Sequence, residues 1–220
     1  MSEEHKAQAD SVHAAARERF VGAILSGERR SALAVALETL EAGVPIPDLY
    51  ADVFQASLYD IGRRWEKNLI TVAQEHMATA VTQYVMAHVF EHIPVPAARR
   101  GMAVITGVPG ELHHVGAMMV ADMLEAHGWQ VQFLGSNLPV SSIVSTVSEA
   151  RPSLLGVSVT MRDNLPQVAE LIAGAKQAVG ALRVVVGGAA FRAAGWTDTG
   201  ADDYAADVRG AIALLCEDPA

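Results

Sequence analysis

Apolar residues in the first part of the chain recur at the three- and four-residue spacing that places them on one face of a helix. The clearest stripe is formed by Leu33, Ala36, Leu37 and Leu40, and similar stripes occur before and after it. Amphipathic helices joined by short connections bury their stripes against one another. The pattern therefore predicts an antiparallel four-helix bundle over residues 14–93, preceded by a flexible tail over residues 1–13.

The pattern changes after this region, where short apolar runs alternate with helical stripes. The first run, Met102–Thr106, is bounded by turn residues, as a buried parallel strand would be. Five such strand–helix units predict an α/β domain over residues 101–220. Its core would be a flavodoxin-like (Rossmann-like) five-stranded parallel sheet with right-handed crossovers. Residues 94–100, which include Pro94 and Pro96, are expected to form a stiff interdomain linker.

Composition narrows the classes of function. The net charge of −9, from 25 acidic and 16 basic residues, repels a phosphate backbone, so direct nucleic-acid binding is not expected. The single cysteine, Cys216, cannot form an internal disulfide, which suits a reducing compartment. No apolar run approaches the ~18 residues of a membrane-spanning helix, and the amino terminus has no signal-peptide pattern. These features predict a cytoplasmic protein with no membrane partner.

Candidate site residues follow the predicted strands. The loop 107–116 follows the first strand and contains Glu111 and His113, Ser158-Val159-Thr160 follows the third, and Gly187-Gly188 follows the fourth. Ligands of parallel α/β sheets bind at the carboxyl ends of the strands. A carboxylate two residues before an imidazole can accept from Nδ1–H, which makes Nε2 a metal donor or a general base. A hydrogen-bonded surface histidine is the simpler alternative.

Common enzyme motifs are missing from the sequence. The first strand is followed neither by G-x-G-x-x-G nor by G-K-[ST], and the chain has no G-x-S-x-G elbow. His88, Glu91 and His92 match the H-x-x-E-H spacing of one metalloprotease class. They fall at the end of a predicted helix with no obvious third ligand, so a role at the helix carboxyl terminus is favoured over zinc hydrolysis.

The third and fourth predicted helices bring a second set of polar groups together. Trp65 and the pair Glu75-His76 are nearly equidistant from the turn Lys67–Ile70. Equidistant points of an antiparallel helix pair lie at the same height. An indole, a carboxylate and an imidazole can therefore converge at one end of the bundle. The alternative is a core tryptophan beside a solvated helix start.

The motifs of the α/β half resemble those of base-off cobalamin-binding domains. Glu111-Leu112-His113-His114-Val115-Gly116 is similar to their D-x-H-x-x-G motif, Ser158-Val159-Thr160 to their S-x-L or S-x-T segment, and Gly187-Gly188 to their G-G. The resemblance implies that His113 is the lower cobalt ligand. It also implies that the nucleotide tail of the cofactor threads a slot lined by Ser158, Thr160, Gly187 and Gly188. His113 is favoured over His114 as the ligand, because the spacing from His114 to Gly116 is one residue short.

The helical half resembles the cap of the light-responsive regulators of the CarH type. Trp65, followed after nine residues by Glu75-His76, matches their W-x9-E-H signature. The resemblance implies that these three residues surround the upper group of adenosylcobalamin. Light would cleave the cobalt–carbon bond and shift the cap. A cobalamin-dependent light sensor, without catalytic activity, is therefore the favoured function.

Three features depart from that family. Glu111 replaces the usual aspartate, and its extra methylene is expected to hold His113 less firmly. Glu66 follows the tryptophan, where the family has a histidine that binds cobalt after photolysis. Residues 1–13 are too few for the amino-terminal DNA-binding domain of those regulators. Any output is therefore expected to pass through a partner protein, and a homo-oligomer is an open alternative.

Other functions of the same architecture remain as alternatives. The second is a corrinoid protein that carries methyl groups between methyltransferases, which would need an open upper cobalt face that Trp65 would obstruct. A mutase-like small subunit is disfavoured because the chain encodes no substrate barrel. Some stand-alone sensors also resemble bilin binders; Cys216 is poorly placed for covalent attachment, so a bilin would be bound non-covalently.

Overall fold

The computed structural model describes residues 3–94, 96–97 and 99–216. Its backbone contacts divide the chain into two compact units, Met1–Ile93 and Pro94–Ala220. The first unit is helical and the second is an α/β unit, which confirms the predicted fold class. No helix among the described residues combines enough length and apolar character to cross a membrane.

The helical unit is built from helices joined by short turns. Their bounds are α1 Glu3–Leu25, α2 Arg29–Glu41, α3 Ile46–Asp48, a π-helical segment Leu49–Gln55, α4 Ala56–Glu66 and α5 Val72–Phe90. The elements from α3 to α4 follow one another without a break, so this stretch supplies the third helix of the predicted bundle. Its core includes Phe20, Tyr50 and Phe54, with ring centroids 5.1 Å apart between Phe20 and Phe54 and 5.3 Å between Tyr50 and Phe54.

Helix α1 begins earlier than the sequence pattern indicated. The flexible tail was predicted to extend to residue 13, whereas α1 is helical from Glu3. Residues 3–13 contain neither proline nor glycine, so nothing in their covalent structure ends the helix. Nδ1 of His13 also lies 2.7 Å from a carboxylate oxygen of Asp52 in the π-helical segment. This ion pair fastens part of the predicted tail to the bundle.

A reciprocal cap starts α5 directly after the turn that joins it to α4. The backbone N–H of Gln74 donates to Thr71 Oγ1 over 3.2 Å, and the backbone N–H of Thr71 donates to Gln74 Oε1 over 2.9 Å. Two backbone donors of the first turn are thereby satisfied. The capping box sets where α5 begins, and so places Glu75 and His76 in its first turn.

The α/β unit contains a five-stranded parallel sheet in the described part of the chain, with strand order β2-β1-β3-β4-β5. The strands are β1 Gly101–Gly107, β2 Trp129–Gly135, β3 Leu154–Ser158, β4 Arg183–Gly187 and β5 Asp203–Ala205. The order reverses between β1 and β3, whose loops therefore diverge to opposite faces of the sheet. Such a switch point leaves a crevice at the carboxyl ends of these two strands.

Helices cover both faces of the sheet. They are α6 Val115–Ala126, α7 Val140–Ala150, α8 Pro166–Ala178, α9 Phe191–Ala194 and α10 Val208–Leu215. One apolar core contains Val104, Leu155 and Val184 together with residues of α7 and α8. The other contains Ala103, Leu154 and Val185 together with residues of α6 and α10. Burial on both faces explains why the strands read as continuous apolar runs.

Gly188 closes the turn after β4 where a side chain cannot fit. Its φ of +102° is strained for residues with a side chain, and a Cβ there would lie 2.3 Å from the carbonyl oxygen of Val159. The backbone N–H of Val159 donates to the Gly187 carbonyl over 2.9 Å. The glycine pair thus lets the loops after β3 and β4 pack backbone against backbone at the carboxyl edge.

We expect the stability of the α/β unit to depend on Asp202 in a pH-dependent way. Asp202 accepts from Lys176 Nζ over 2.7 Å and from the Val184 backbone N–H over 2.7 Å. The Lys176 hydrogen bond is the largest cause that lowers the pKa of Asp202, and it outweighs the opposing effect of burial. In the unfolded chain the pKa of an aspartate is about 3.9. Because the pKa of Asp202 is lower in the folded protein, its ionised form stabilises the fold at pH values above the unfolded pKa. This stabilisation is lost as the pH falls through the pKa of the folded protein.

Replacing Asp202 with Asn should lower the free energy of unfolding at pH 7 by up to about 1 kcal/mol, because the pair is partly solvated. The difference from the wild type should shrink below about pH 4. Urea unfolding between pH 7 and pH 3 measures both effects, with Asp198→Asn in the exposed preceding turn as the control. A difference that stays constant with pH would contradict the ion-pair interpretation.

Candidate functional site

A tight turn positions the loop after β1. Val108 to Glu111 form a turn in which the Glu111 backbone N–H donates to the Val108 carbonyl over 3.1 Å. Pro109 and Gly110, with φ of +78° at Gly110, suit the two central positions of a type II turn. The Gly110 N–H also donates to Asn137 Oδ1 over 2.9 Å. The local sequence and a contact from the β2–α7 connection together direct Glu111 into the protein.

Glu111 is fully buried and joins the loops after β1 and β3. Its Oε1 accepts from the His113 ring Nδ1 over 2.6 Å and from the His113 backbone N–H over 2.9 Å. Its Oε2 accepts from the backbone N–H groups of Thr160 and Met161 over 2.8 and 3.0 Å, and from Asn164 Nδ2 over 3.2 Å. One carboxylate therefore bridges the two sides of the switch point.

These contacts determine the charge of Glu111 and the tautomer of His113. Burial by itself raises the pKa of Glu111, but hydrogen bonds from the His113 ring and from three backbone N–H groups outweigh it and lower the pKa to about 2. The carboxylate is therefore ionised near neutral pH and can only accept hydrogen bonds. His113 must donate its Nδ1–H, which places the lone pair of the neutral ring on Nε2, the nitrogen that can bind a metal.

The surroundings of His113 combine this donor with exposed apolar surface. The His113 side chain is 49% exposed, and Leu112 and Met161 are 70% and 44% exposed although both are apolar. A Cβ on Gly116, in the first turn of α6, would meet no atom within 4 Å, so protein packing does not require a glycine there. The surface beside His113 therefore offers apolar contact area and free space for a large, partly apolar ligand.

The structure places the other predicted residues of the α/β unit around this loop. Ser158 ends β3 and pairs with Gly187 in the strand register. Val159 is fully buried with its side chain in the apolar core, so only its backbone can face a ligand. His114 precedes α6 and is half-buried, and its Nδ1–H donates to the Leu112 carbonyl over 3.1 Å. Val115 is buried at the start of α6.

In the helical unit, Trp65 lies in the last turn of α4, and Glu75 and His76 lie in the first turn of α5. Nδ1 of His76 is hydrogen bonded to Glu75 Oε2, while Thr79 Oγ1 donates to Glu75 Oε1 over 3.1 Å. Trp65 is 44% exposed, so it is not the ordinary core residue of the alternative interpretation. This end of the helix pair presents an indole and a carboxylate-bound imidazole.

The H-x-x-E-H motif does not assemble a metal centre. Nδ1–H of His88 donates to the Tyr84 carbonyl over 2.8 Å, and Nδ1–H of His92 donates to the His88 carbonyl over 3.2 Å. Both imidazoles therefore bind carbonyls at the end of α5, as the helix-end interpretation predicts. Across residues 3–94, 96–97 and 99–216, no three His, Cys, Asp or Glu side chains are grouped to hold a metal ion.

Sequence reasoning missed three amides that hold the β1 loop. Asn137 and Asn164 contact Gly110 and Glu111 as described above, and Gln167 Nε2 donates to the Pro109 carbonyl over 3.0 Å. Asn137 has a left-handed φ of 60°, and the Gly-Ser-Asn sequence after β2 was a signal for such a turn. Asn164 and Gln167 carried no signal because their partners are more than fifty residues away.

The proteins that are similar to this chain in sequence or fold include corrinoid proteins and a transcriptional repressor. The chain is 29% identical over 157 residues to the HTH-type transcriptional repressor CarH of Myxococcus xanthus, a match that covers 71% of this chain and 52% of the repressor. It is 26% identical over 208 residues to dimethylamine corrinoid protein 1 of Methanosarcina acetivorans, covering 91% and 95%. The solved monomethylamine corrinoid protein of Methanosarcina barkeri matches with a TM-score of 0.78 and 22% identity, over 90% and 95% of the two chains.

The residues around His113 fit a corrinoid. A bare zinc ion needs three or four protein ligands, whereas cobalt in a corrin is already held by the ring nitrogens and needs one from the protein. A single imidazole, fixed by a buried carboxylate, provides that donor set. The exposed Leu112 and Met161 would offer apolar contact to the corrin ring, and Gly116 leaves room beside the loop.

We expect the length of the Glu111 side chain to matter for stability. Glu111→Asp keeps the charge, but one methylene less cannot reach both the His113 ring and the N–H groups after β3. Losing part of these hydrogen bonds should lower the free energy of unfolding of the cofactor-free protein by about 1–2 kcal/mol. Urea unfolding measures this change, and Glu170→Asp on the exposed face of α8 is the matched control. Equal stability of the two variants would show that an aspartate bridges the loops as well.

Two family models match the chain, and together they span both units. One B12 binding domain model matches residues 101–213, which contain the sheet, the Glu111–His113 loop and the glycine pair. A second B12 binding domain model matches residues 16–89, the helical unit. The first match covers more than half of the chain and agrees with the donor set at His113. The chain belongs to the B12-binding domain family and is a cobalamin-binding protein.

Proposed function

We propose that this chain holds cobalamin base-off, with His113 Nε2 as the lower cobalt ligand, and carries a methyl group between methyltransferase partners. When bound, cobalamin supplies a cobalt whose electron pair takes up a methyl cation from a donor and is recovered when a nucleophilic acceptor removes that methyl. The observation that supports base-off binding is the ionised, buried Glu111 that orients His113. The methyl-carrier part is supported by the similarity to dimethylamine corrinoid protein 1 over nearly its whole length.

The protein's own residues have separate tasks in this proposal. Glu111 holds the His113 ring so that Nε2 meets the cobalt without a rotational search. Leu112 and Met161 contact the corrin ring. The adjacent start of α6 is formed by His114, Val115 and Gly116. Ser158, Val159, Thr160, Gly187 and Gly188 remain predicted to line the slot for the nucleotide tail. The tight backbone packing after β3 and β4 supports that prediction.

The extent of similarity favours a methyl carrier over the light sensor. The dimethylamine corrinoid protein of Methanosarcina acetivorans aligns with 91% of this chain and over 95% of its own length. The CarH repressor aligns with 71% of this chain, and the matched region spans about half of the repressor. A methyl carrier needs partner proteins, which are proposed here as a methyl-donating and a methyl-accepting enzyme. Catalysis would then reside in those partners.

A light sensor that binds adenosylcobalamin is the second candidate, supported by a specific feature of the helical unit. Trp65 is partly exposed at the same end of the α4–α5 pair as the hydrogen-bonded Glu75 and His76. In this alternative the three residues contact the adenosyl group, and photolysis of the cobalt–carbon bond changes their packing. The family models name B12 and the two methylamine relatives name corrinoids, and a bilin is not part of either proposal.

Replacing His113 with Ala should remove the nitrogen ligand from cobalt. In the Co(II) form of the loaded wild-type protein, the electron paramagnetic resonance spectrum should show splitting by one axial nitrogen, and His113→Ala should lose that splitting. His114→Ala, in the adjacent half-buried position, is the control and should keep it. Loss of the splitting in His114→Ala alone would show that the neighbouring imidazole is the ligand.

The affinity for cobalamins with different upper ligands distinguishes the two candidate functions. A methyl carrier should bind methylcobalamin and adenosylcobalamin with dissociation constants within about threefold, and should pass the methyl group to an added thiol acceptor with a methyltransferase present. A light sensor should prefer adenosylcobalamin at least about tenfold, because stacking of the adenine on Trp65 is worth about 1–3 kcal/mol. Trp65→Ala should abolish that preference, whereas Trp129→Ala in β2 should not. A strong preference that depends on Trp65 would reject the carrier.

A further inference from the structure

The two edges of the parallel sheet differ in how they are protected. At one edge, β5 is only three residues long, Asp203–Ala205. Arg183 forms an ion pair with Asp203, and Arg192 Nη2 donates to the Ala206 carbonyl over 3.2 Å. Short length and charged side chains are features that keep an edge strand from pairing with another chain. The β5 edge is therefore poorly suited to accept a further strand.

The opposite edge, formed by β2, has none of this protection. β2 is seven residues long, Trp129–Gly135, and contains neither a charged residue nor proline. Residues 129–133 pair one to one with residues 101–105 of β1, and the register shifts only beyond them. Among the described residues, no strand pairs with the outer edge of β2. A long, regular and uncharged edge of this kind is a site for the addition of another strand.

The backbone groups of every second residue in β2 face outward. In a strand, the N–H and C=O groups of successive residues point to opposite edges. The Gly128 carbonyl, directly before β2, accepts from the Arg100 backbone N–H over 3.0 Å and so faces β1. The even-numbered residues that follow Gly128 therefore pair with β1. The N–H and C=O groups of Trp129, Val131 and Phe133 face away from the sheet.

The side chains of β2 are arranged symmetrically about Val131. Trp129, Val131 and Phe133 pack against the core beneath α6 and α10, and each is only partly buried. Gln130 and Gln132 point to the other face of the sheet and are exposed. In an antiparallel pair of two such strands centred on Val131, Trp129 lies opposite Phe133 and Gln130 lies opposite Gln132. Aromatic side chains then meet aromatic side chains, and amides meet amides, which stabilises cross-strand pairs.

We propose that the outer edge of β2 binds a second copy of this chain, so that two sheets join antiparallel about a two-fold axis at Val131. Each outward-facing residue exchanges a pair of backbone hydrogen bonds with the other copy, Trp129 with Phe133 and Val131 with Val131. Charge favours the same edge. Each copy has a net charge of −9, and two copies repel least where the contact surface carries no acidic side chain. The occupant is a second copy because the strand is complementary to itself.

The contact predicts weak, reversible dimerisation. Five paired residues in each copy bury less than the about 1,200 Å² of a stable interface, which places the dimer in the weak class. Sedimentation equilibrium of the cobalamin-loaded chain over the micromolar range should give a weight-average mass that rises from one chain towards two. A wild-type chain that stays monomeric over this range would overturn the proposal, and would favour a strand of a different protein at this edge.

Charges introduced at the two glutamines test the pairing and its register. Gln130→Glu combined with Gln132→Glu places carboxylates opposite carboxylates and should weaken dimerisation by about tenfold. Gln130→Lys combined with Gln132→Glu instead places each ammonium opposite a carboxylate. This second variant should dimerise within about threefold of the wild type or more tightly. Both side chains are exposed, so the fold should tolerate either pair of substitutions.

A matched control separates pairing at β2 from a general effect of charge. Ala173→Glu combined with Gln177→Glu adds two carboxylates at exposed positions of α8 and should leave dimerisation unchanged. Cobalamin affinity should be the same in all three variants and the wild type, which reports an intact fold. Unchanged dimerisation in the variant with two glutamates at β2 would overturn the proposal. An equal loss in both β2 variants would overturn it as well, because opposite charges would then fail to restore the pairing.

Discussion

The α/β unit depends on one buried carboxylate at the point where its sheet reverses direction. Loops that follow β1 and β3 diverge to opposite faces of the sheet, which leaves backbone N–H groups without strand partners in the crevice between them. Glu111 supplies the missing acceptor for both loops at once. Its negative charge is kept by these hydrogen bonds despite complete burial. The same contacts fix the His113 ring, so the stability of the crevice and the orientation of the metal donor have a common origin.

The longer side chain of Glu111 connects two loops and also contacts His113. A glutamate in place of aspartate was expected to hold His113 less firmly. The structure shows a 2.6 Å contact to the His113 ring through one carboxylate oxygen, while the other oxygen reaches the Thr160 and Met161 backbone. The longer side chain spans the crevice because its two carboxylate oxygens accept hydrogen bonds from opposite sides. A substitution within a motif can therefore change what the residue connects without removing its role.

The loop that holds Glu111 and His113 does not decide between the candidate functions. A methylamine-type corrinoid protein and a transcriptional repressor are both among the similar sequences, and the B12 binding domain models describe the cofactor rather than its use. A methyl carrier and an adenosylcobalamin sensor differ at the upper cobalt face. The carrier needs this face to be open, whereas the sensor surrounds an adenosyl group there. The sensor proposal assigns that role to Trp65, Glu75 and His76, whereas overall similarity favours the carrier.

The sequence by itself determined the two-part architecture, the parallel sheet and the cobalamin-binding class, because hydrophobic periodicity and short glycine and histidine motifs are local properties. It did not determine where α1 begins, since the ion pair between His13 and Asp52 joins separate helices. Nor could it identify Asn164 and Gln167 as partners of the β1 loop. Those features arise only when strands distant along the chain become neighbours, because a hydrogen bond depends on positions in space that no local pattern encodes.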